Sequence, residues 1–222
     1  MTLKTAPPRE AENQLSKSAL RRLREKEQRR RDFLQAAETL FARQGFHQTS
    51  IEEIADLAEA STGAVYFHFK NKDDLLIQLM KDIGFFLREW LGGEFRKNPA
   101  TIEGFCNIAG AFMKEFCTRY PEKIIIFFRE SVGQSSEVEE QRKKVSEKLT
   151  ADIKDVLLRI SRHLNRDFVT PAAAEAAAVC VVGIFERVSC LYILWRTQAD
   201  EKTFLVEETA AFIRGGVEGL LK

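Results

Sequence analysis

The chain has little of what breaks or cross-links a fold. Its 222 residues include only 5 prolines and 12 glycines. Runs that alternate apolar and polar residues are few, which argues for helices over sheets. Four cysteines, Cys106, Cys117, Cys180 and Cys190, show no C-x-x-C spacing, which excludes the usual zinc and dithiol motifs. Each falls in an apolar helical run and reads as a reduced, buried filler, so a cytoplasmic location is expected. No apolar stretch of signal-peptide type opens the sequence. The most apolar segment, AAAVCVVGIF, meets Glu186 and Arg187 after ten residues, too short a run to span a bilayer, so no membrane partner is expected. His47 and His163 lack partners at metal or catalytic spacing. There is no HExxH, no phosphate-cradling glycine loop, no Ser/His/Asp set and no carboxylate pair at helical spacing. Neither an enzyme, a metal site nor a cofactor is indicated.

Charge of one sign is also lacking overall, since 34 Lys and Arg against 33 Asp and Glu leave a net +1. Its distribution is uneven. From Lys17 to Arg31 stand eight basic residues (Lys17, Arg21, Arg22, Arg24, Lys26, Arg29, Arg30 and Arg31) against Glu25 and Glu27, a local balance of +6. Such a basic end suits a polyanion, unless it is only the solvated face of a charged helix. The remainder is rich in hydrophobic residues, at 45% of the chain with 17 Phe, enough for a sizeable core.

Helix punctuation is dense. Residues 1–17, with a Pro-Pro pair, read as a disordered arm. An apolar stripe through Phe33, Ala37, Leu40 and Phe41 marks a first helix, stopped by Gly45. Ser50 and Glu53 form a capping box for a short helix with Ile51, Ile54, Ala55 and Ala58 inward. Ser61 can cap the next, which carries Val65, Tyr66 and Phe69. Asn71 with Asp74 opens a long helix through Leu75, Leu79, Ile83, Leu87 and Trp90, expected to end near Gly92-Gly93. Further helices are expected over Ile102–Phe116, ended by Pro121, and through IIIFF at 124–128. A Ser136/Glu139 box should open another, a Thr170-Pro171 cap the one after, and the last should run from about Glu201 to Leu221.

Two short helices across a tight break form a helix-turn-helix, whose second helix enters the DNA major groove. The small residues Ser61, Thr62, Gly63 and Ala64 let its backbone approach bases and phosphates, and its N-terminus offers free N–H groups to the anionic backbone. Tyr66, His68 and Lys72 add donors. FLQAAETLFARQGFHQTSIEEIADLAEASTGAVYFHFKNKDDLL resembles the DNA-binding domain of the TetR family of bacterial transcriptional regulators. Ala36-Ala37, Leu40-Phe41, Gly45-Phe46, Thr49-Ser50, Ile54-Ala55, Ser61-x-Gly63, Tyr66-x-x-Phe69, Lys72 and Leu75-Leu76 agree in order and spacing. One position departs: Glu59 stands where the family usually has a turn glycine, and a left-handed backbone there would cost about 1–2 kcal/mol.

The resemblance implies an all-α chain. A helix-turn-helix DNA-binding domain with its basic extension would occupy residues 18–71, and an effector-binding and dimerisation domain residues 72–222. It implies a homodimer on palindromic double-stranded DNA, released by a small-molecule effector. Candidate DNA contacts are Arg29, Arg30, Thr49, Ser50, Ser61, Thr62, Gly63, Ala64, Tyr66, His68 and Lys72. Tyr66, His68 and Lys72 are expected at phosphates, and Ser61 and Thr62 in the groove. An apolar or aromatic effector would sit among Phe86, Phe105, Phe112, Phe116, Phe127, Phe128 and Glu186. The helix from Pro171 to Trp195 is apolar on nearly every face, which implies burial on two sides. Gly183, Arg187, Leu191, Phe212 and Gly216 are the candidate dimer contacts. A DNA-binding or architectural protein without an effector, or an all-α enzyme, are the alternatives.

Overall fold

The computed structural model describes residues 17–195 and 199–222. Apart from Lys17, the arm expected over residues 1–17 lies outside them. Helix α1 (Lys17–Gln44) buries Phe33, Leu34, Ala36, Ala37, Leu40 and Phe41 only along its second half. Most of the basic segment, up to Gln28, is therefore a helical extension that stands clear of the core. Gly45 ends it at φ +94°, its N–H closing on the Phe41 carbonyl at 3.0 Å, a left-handed stop that glycine adopts without a Cβ penalty.

Three short-range caps then set α2 (Ile51–Leu57), α3 (Thr62–His68) and α4 (Lys72–Lys97). Helix α5 (Ile102–Ala111) widens into a π-turn over Phe112–Phe116 and resumes at Cys117–Arg119. Helix α6 (Pro121–Ile125) runs into a second π-turn, Ile126–Glu130, so IIIFF is helical. Helix α7 (Ser136–Leu164) lies along both α4 and α8 (Ala173–Cys190, with a π-turn Leu191–Trp195), and α5 packs on α9 (Ala199–Gly219). Among the described residues there are no strands, only an isolated antiparallel bridge between Phe168 and Leu221.

One buried cluster runs from Phe33 and Phe41 through Leu76, Met80 and Ile83 of α4 to Phe116, Ile126, Phe127 and Leu149. Hydrocarbon packing is thus continuous from the helix-turn-helix into the larger bundle. A second cluster joins α5, α7, α8 and α9 around Phe105, Leu157, Ala178 and Val217.

Several expectations give way to tertiary contacts. Helix α4 does not stop at Gly92-Gly93 but continues to Lys97, capped by Asn98, with a Lys97–Glu94 ion pair at 2.6 Å. Packing before the glycines and basic residues after them, at the negative helix end, outweigh their poor propensity. At α7 the N-cap is Ser135, without a side-chain cap bond, and no Ser136/Glu139 box forms. Glu139 instead accepts from the Gly133 N–H at 2.8 Å and pairs with Arg142. Helix α8 starts at Ala173, two residues past Pro171, and Thr170 offers only its carbonyl, to the Ala173 N–H. The preceding loop is held by the chain end: the Val169 N–H meets the Leu220 carbonyl at 2.9 Å and Arg166 the Leu221 carbonyl at 2.6 Å.

Cys106 and Cys117 are buried, and burial pushes the Cys117 thiol up to about 12. Cys180, expected inside, is exposed because it lies on the outer side of α8 with Val179. By length and composition Ala173–Leu194 is apolar enough to cross a membrane, at a mean hydropathy of 1.9 despite Glu186 and Arg187. Only 22% of its most apolar 18-residue window is buried in the single chain.

Gly84 marks the tightest approach of α4 to α7, since a Cβ there would stand 2.5 Å from Val145 Cγ1. Valine has little rotamer freedom to yield. Gly84→Ala should therefore destabilise the chain, with about 1–3 kcal/mol of overpacking exceeding the ~1 kcal/mol that alanine gains over glycine in a helix. In urea denaturation, adding Val145→Ala should restore part of that loss; a simple sum of the two single effects would refute the contact.

Candidate functional site

The helix-turn-helix is assembled from bonds that span three to five residues. Ser50 Oγ accepts the Glu53 N–H at 3.1 Å while Glu53 Oε2 accepts the Ser50 N–H at 2.8 Å. These bonds hold the Glu53 carboxyl below its usual range, the Ser50 backbone bond first and Gln44 next. Ser61 Oγ accepts the Ala64 N–H at 3.2 Å, and Asn71 Oδ1 the Asp74 N–H at 2.8 Å. Between α2 and α3, Glu59 takes φ +50°, with the Ala60 N–H on the Ala55 carbonyl at 3.0 Å and the Glu59 N–H on Asp56 at 3.1 Å. That is a Schellman turn with a non-glycine in its left-handed position.

Helix α3 buries Val65, and Phe69 follows it inward. Gly63 and Phe67 each stand two residues from Val65, about 160° around the helix from the core. Tyr66 and Phe67 are 53% and 71% exposed. The structure thus sets Ser61, Gly63 and Tyr66 on the solvent side, with Thr62, Ala64 and His68 half-buried. The His68 ring meets Phe33 and Phe67 edge-on, at 5.6 and 5.3 Å between centroids. Burial, then Lys26 and Arg30, hold its pKa below the usual histidine value.

Lys72 has a different place from the one expected. Its Nζ donates to the carbonyls of Phe46 at 2.8 Å, Thr49 at 2.9 Å and His47 at 3.4 Å, and lies 4.5 Å from the Phe46 ring centroid. An ammonium has three donors, and all three are directed into the α1–α2 loop. Burial draws its pKa down, against the pull of Asp73 and Glu53. Thr49 is likewise unavailable, at 2% exposure, its hydroxyl closed on the Gly45 carbonyl at 2.8 Å. Ser50 is occupied as a cap. These residues shape the helix-turn-helix from within.

Arg29 reaches the Ala58 carbonyl at 3.3 Å, and Arg30 bonds Gln78 at 3.0 Å with its guanidinium 5.7 Å from the Phe69 ring centroid. Both tie α1 to the reading unit. Arg22 and Arg24, farther out, are exposed. Phe67 was not among the candidate contacts, and Lys26 stood only within the basic run; its ammonium lies 5.1 Å from the Phe67 ring centroid. The clue was there: with Val65 and Phe69 inward, an aromatic midway between them must face out.

In the larger bundle an apolar void of about 40 Å³ is lined by Leu87, Leu91 and Phe95 of α4, Phe105, Ile108, Ala109 and Phe112 of α5, Phe128, Leu149, Ile153, Val182 and Phe185. Of the candidate effector residues, Phe105, Phe112 and Phe128 line it. Phe86, Phe116, Phe127 and Glu186 do not. Phe86 packs on Tyr120 at 4.8 Å, Phe116 on Trp90 at 5.2 Å and Phe127 on Phe128 at 5.0 Å. Glu186 follows Phe185, so it is turned by about 100° from a lining residue.

Leu91, Phe95 and Ile153 also border a cleft of about 280 Å³ carrying Arg88, Arg96, Arg159, Asp152 and Asp155. Arg88 grips Asp152 bidentately at 2.5 and 3.0 Å, which raises the Arg88 pKa. Arg96 and Arg159 enter no ion pair among the described residues. Gly92 lines the cleft, and a Cβ there would come within 3.5 Å of the Arg96 guanidinium. The glycine pair expected to end α4 thus keeps its surface low beside an arginine.

Two polar ties join this bundle to the reading unit. Lys123 of α6 pairs with Glu38 of α1 at 2.8 Å, both partners largely buried. Glu130, at the end of the π-turn that places Phe128 in the void, accepts the Phe46 N–H at 2.8 Å. Elsewhere on the bundle, Gly183, Arg187, Phe212 and Gly216 are exposed and Leu191 is half-buried. Cys180, Ile184, Phe212 and Gly216 border an apolar groove of about 250 Å³ between α8 and α9.

Residues 33–79 match the family model described as bacterial regulatory proteins, tetR family. The chain is 29% identical over 132 residues to the HTH-type transcriptional repressor KstR2 of Mycolicibacterium smegmatis, covering 56% of this chain and 62% of that one. It spans less than two thirds of the length of the curated relatives it matches. In fold it is similar to FadR of Bacillus subtilis, solved with stearoyl-CoA, at a TM-score of 0.68 and 18% identity over 85% of this chain and 97% of that one. AibR, solved with isovaleryl coenzyme A and operator DNA, gives a TM-score of 0.64 at 18% identity over 83% and 97%.

Lys72→Met keeps the apolar stem and deletes the three bonds. It should lower stability by about 1.5–3 kcal/mol, the range for hydrogen bonds to a charged group, and loosen Phe46–Thr49 to amide exchange. An unchanged urea midpoint would contradict the role assigned here. Glu59→Gly should act the other way, stabilising by up to about 1 kcal/mol through relief of the left-handed strain; a loss of stability would show that the Glu59 side chain holds the turn.

Proposed function

We infer, for a chain whose residues 33–79 match the family model of bacterial regulatory proteins, tetR family, a dimeric transcriptional repressor that leaves its operator when an acyl thioester of coenzyme A binds. DNA reading is assigned to the exposed side of α3, with the basic extension of α1 supplying phosphate contacts through residues such as Arg22 and Arg24. Tyr66 is assigned to a phosphate, a contact that positions the protein without carrying sequence information. The second copy would cover the groove at Cys180, Phe212 and Gly216 and the exposed Val179. That would meet the two-sided burial which the composition of α8 asks for.

The observation that carries the effector class is the junction at Phe95 and Leu91. On one side lies a void lined only by hydrocarbon, on the other a cleft with two arginines outside any described ion pair. An apolar acyl group suits the first and a phosphorylated head the second. FadR and AibR, similar in fold, hold molecules of this kind. At about 40 Å³ the void takes only a small group, so a longer acyl chain must displace the phenylalanine rings. Moving Phe128 would pull Glu130 from the Phe46 N–H, and moving Leu87, Leu91 or Phe95 would shift α4, whose first residue holds the α1–α2 loop. Release follows only if the thioester binds one arrangement better than the other.

Calorimetry with stearoyl-CoA, isovaleryl-CoA, coenzyme A alone and stearate tests this directly. At least one thioester should bind more tightly than either of its parts. Replacing Arg96 and Arg159 together by Ala should weaken it about tenfold or more, and the same thioester should lower operator affinity. If thioesters of every chain length leave operator affinity unchanged, the proposed effector class is wrong.

A further inference from the structure

The most outward line of the recognition helix carries only two residues, and one of them has no side chain. Gly63 and Phe67 lie one turn apart, opposite the buried Val65. A Cβ on Gly63 would meet nothing nearer than its own cap, Ser61 Oγ at 3.9 Å, so this end of the helix can seat its backbone deep in a groove. Phe67 then projects farthest from the core, 71% exposed. It is not a core residue displaced by poor packing, since Val65 and Phe69 already fill the inward side at 0% and 2% exposure. Two contacts hold the ring in place: the Lys26 ammonium 5.1 Å from its centroid and the His68 edge at 5.3 Å. The ammonium also brings positive charge to the spot where a polyanion would arrive.

A phenyl ring has no donor or acceptor with which to meet a phosphate or the polar edge of a base. In the major groove the one apolar feature presented by a base pair is the C5-methyl of thymine. We propose that Phe67 is a specificity-determining residue that reads a thymine methyl in each half of the operator, steadied by Lys26. This rests on the DNA-binding reading of α3 but not on any effector.

The test uses the full chain and a duplex that it enriches from a random pool. Each thymine of that duplex is replaced in turn by deoxyuridine, which deletes the methyl and leaves the hydrogen-bonding edge intact. With the wild-type chain, one thymine per half-site should lose about fourfold in affinity when its methyl is removed, the equivalent of one buried methylene-sized group. In Phe67→Ala the same replacement should have no effect, while Phe67→Leu should retain part of it. Thermal melting of each variant separates folding from binding; an exposed ring should leave the melt unchanged. If no duplex is enriched, the DNA-binding reading fails and this inference falls with it. If an operator is enriched but deoxyuridine is harmless throughout, or equally harmful to Phe67→Ala, the reading stands and Phe67 is not the methyl reader.

Discussion

A single ammonium organises the helix-turn-helix of this protein. Lys72 begins α4, a poor place for a cation by the helix dipole alone. Its side chain instead reaches over the Phe46 ring to three carbonyls between α1 and α2. Those carbonyls are exposed to it because Gly45 turns the chain left-handed and Thr49 closes the loop with its own hydroxyl. Once the loop is pinned, Ser50 sits where it can cap α2, and the Schellman turn at Glu59 fixes how α3 leaves it. The orientation of Gly63, Tyr66 and Phe67 toward solvent is downstream of that arrangement.

The same helix runs from the helix-turn-helix to the void and the cleft. Leu87, Leu91 and Phe95 line the apolar void along the last three turns of α4, which ends at Lys97, and Arg88 and Arg96 face the adjoining cleft. A second route runs through α6, where one π-turn carries Phe128 at the void and Glu130 on the Phe46 N–H. Both routes converge on the loop between Gly45 and Ser50. Because hydrocarbon packing is continuous from Phe41 to Leu149, a shift at either lining surface has close-packed neighbours to move rather than empty space to absorb it.

Much of this was legible in the sequence where the signal is local. Capping at Ser50, Ser61 and Asn71, and the glycine stop at 45, depend on atoms within five residues, and each has the partner its spacing implies. The left-handed backbone at Glu59 was legible only through the resemblance, which puts a turn glycine at that place. Elsewhere local signals were overruled by distant ones. Glu139 turned to Gly133, and the chain end at Leu220 and Leu221 fixed the loop before α8.

By itself, the sequence determined an all-helical chain, the order and starts of the reading helices, and a basic extension ahead of them. Those follow from periodicity and from hydrogen bonds that close within a turn. The tertiary structure decided which side chains remain free for a partner. Lys72 and Thr49 have the chemistry to meet a phosphate, but a loop 23 to 26 residues from Lys72 in sequence takes up their donors. Seven phenylalanine or glutamate positions had suitable character to line an apolar void, yet only Phe105, Phe112 and Phe128 reach it. Which ring enters a void depends on how α4, α5, α7 and α8 cross, and crossing angles arise from ridges and grooves contributed by helices far apart in the chain.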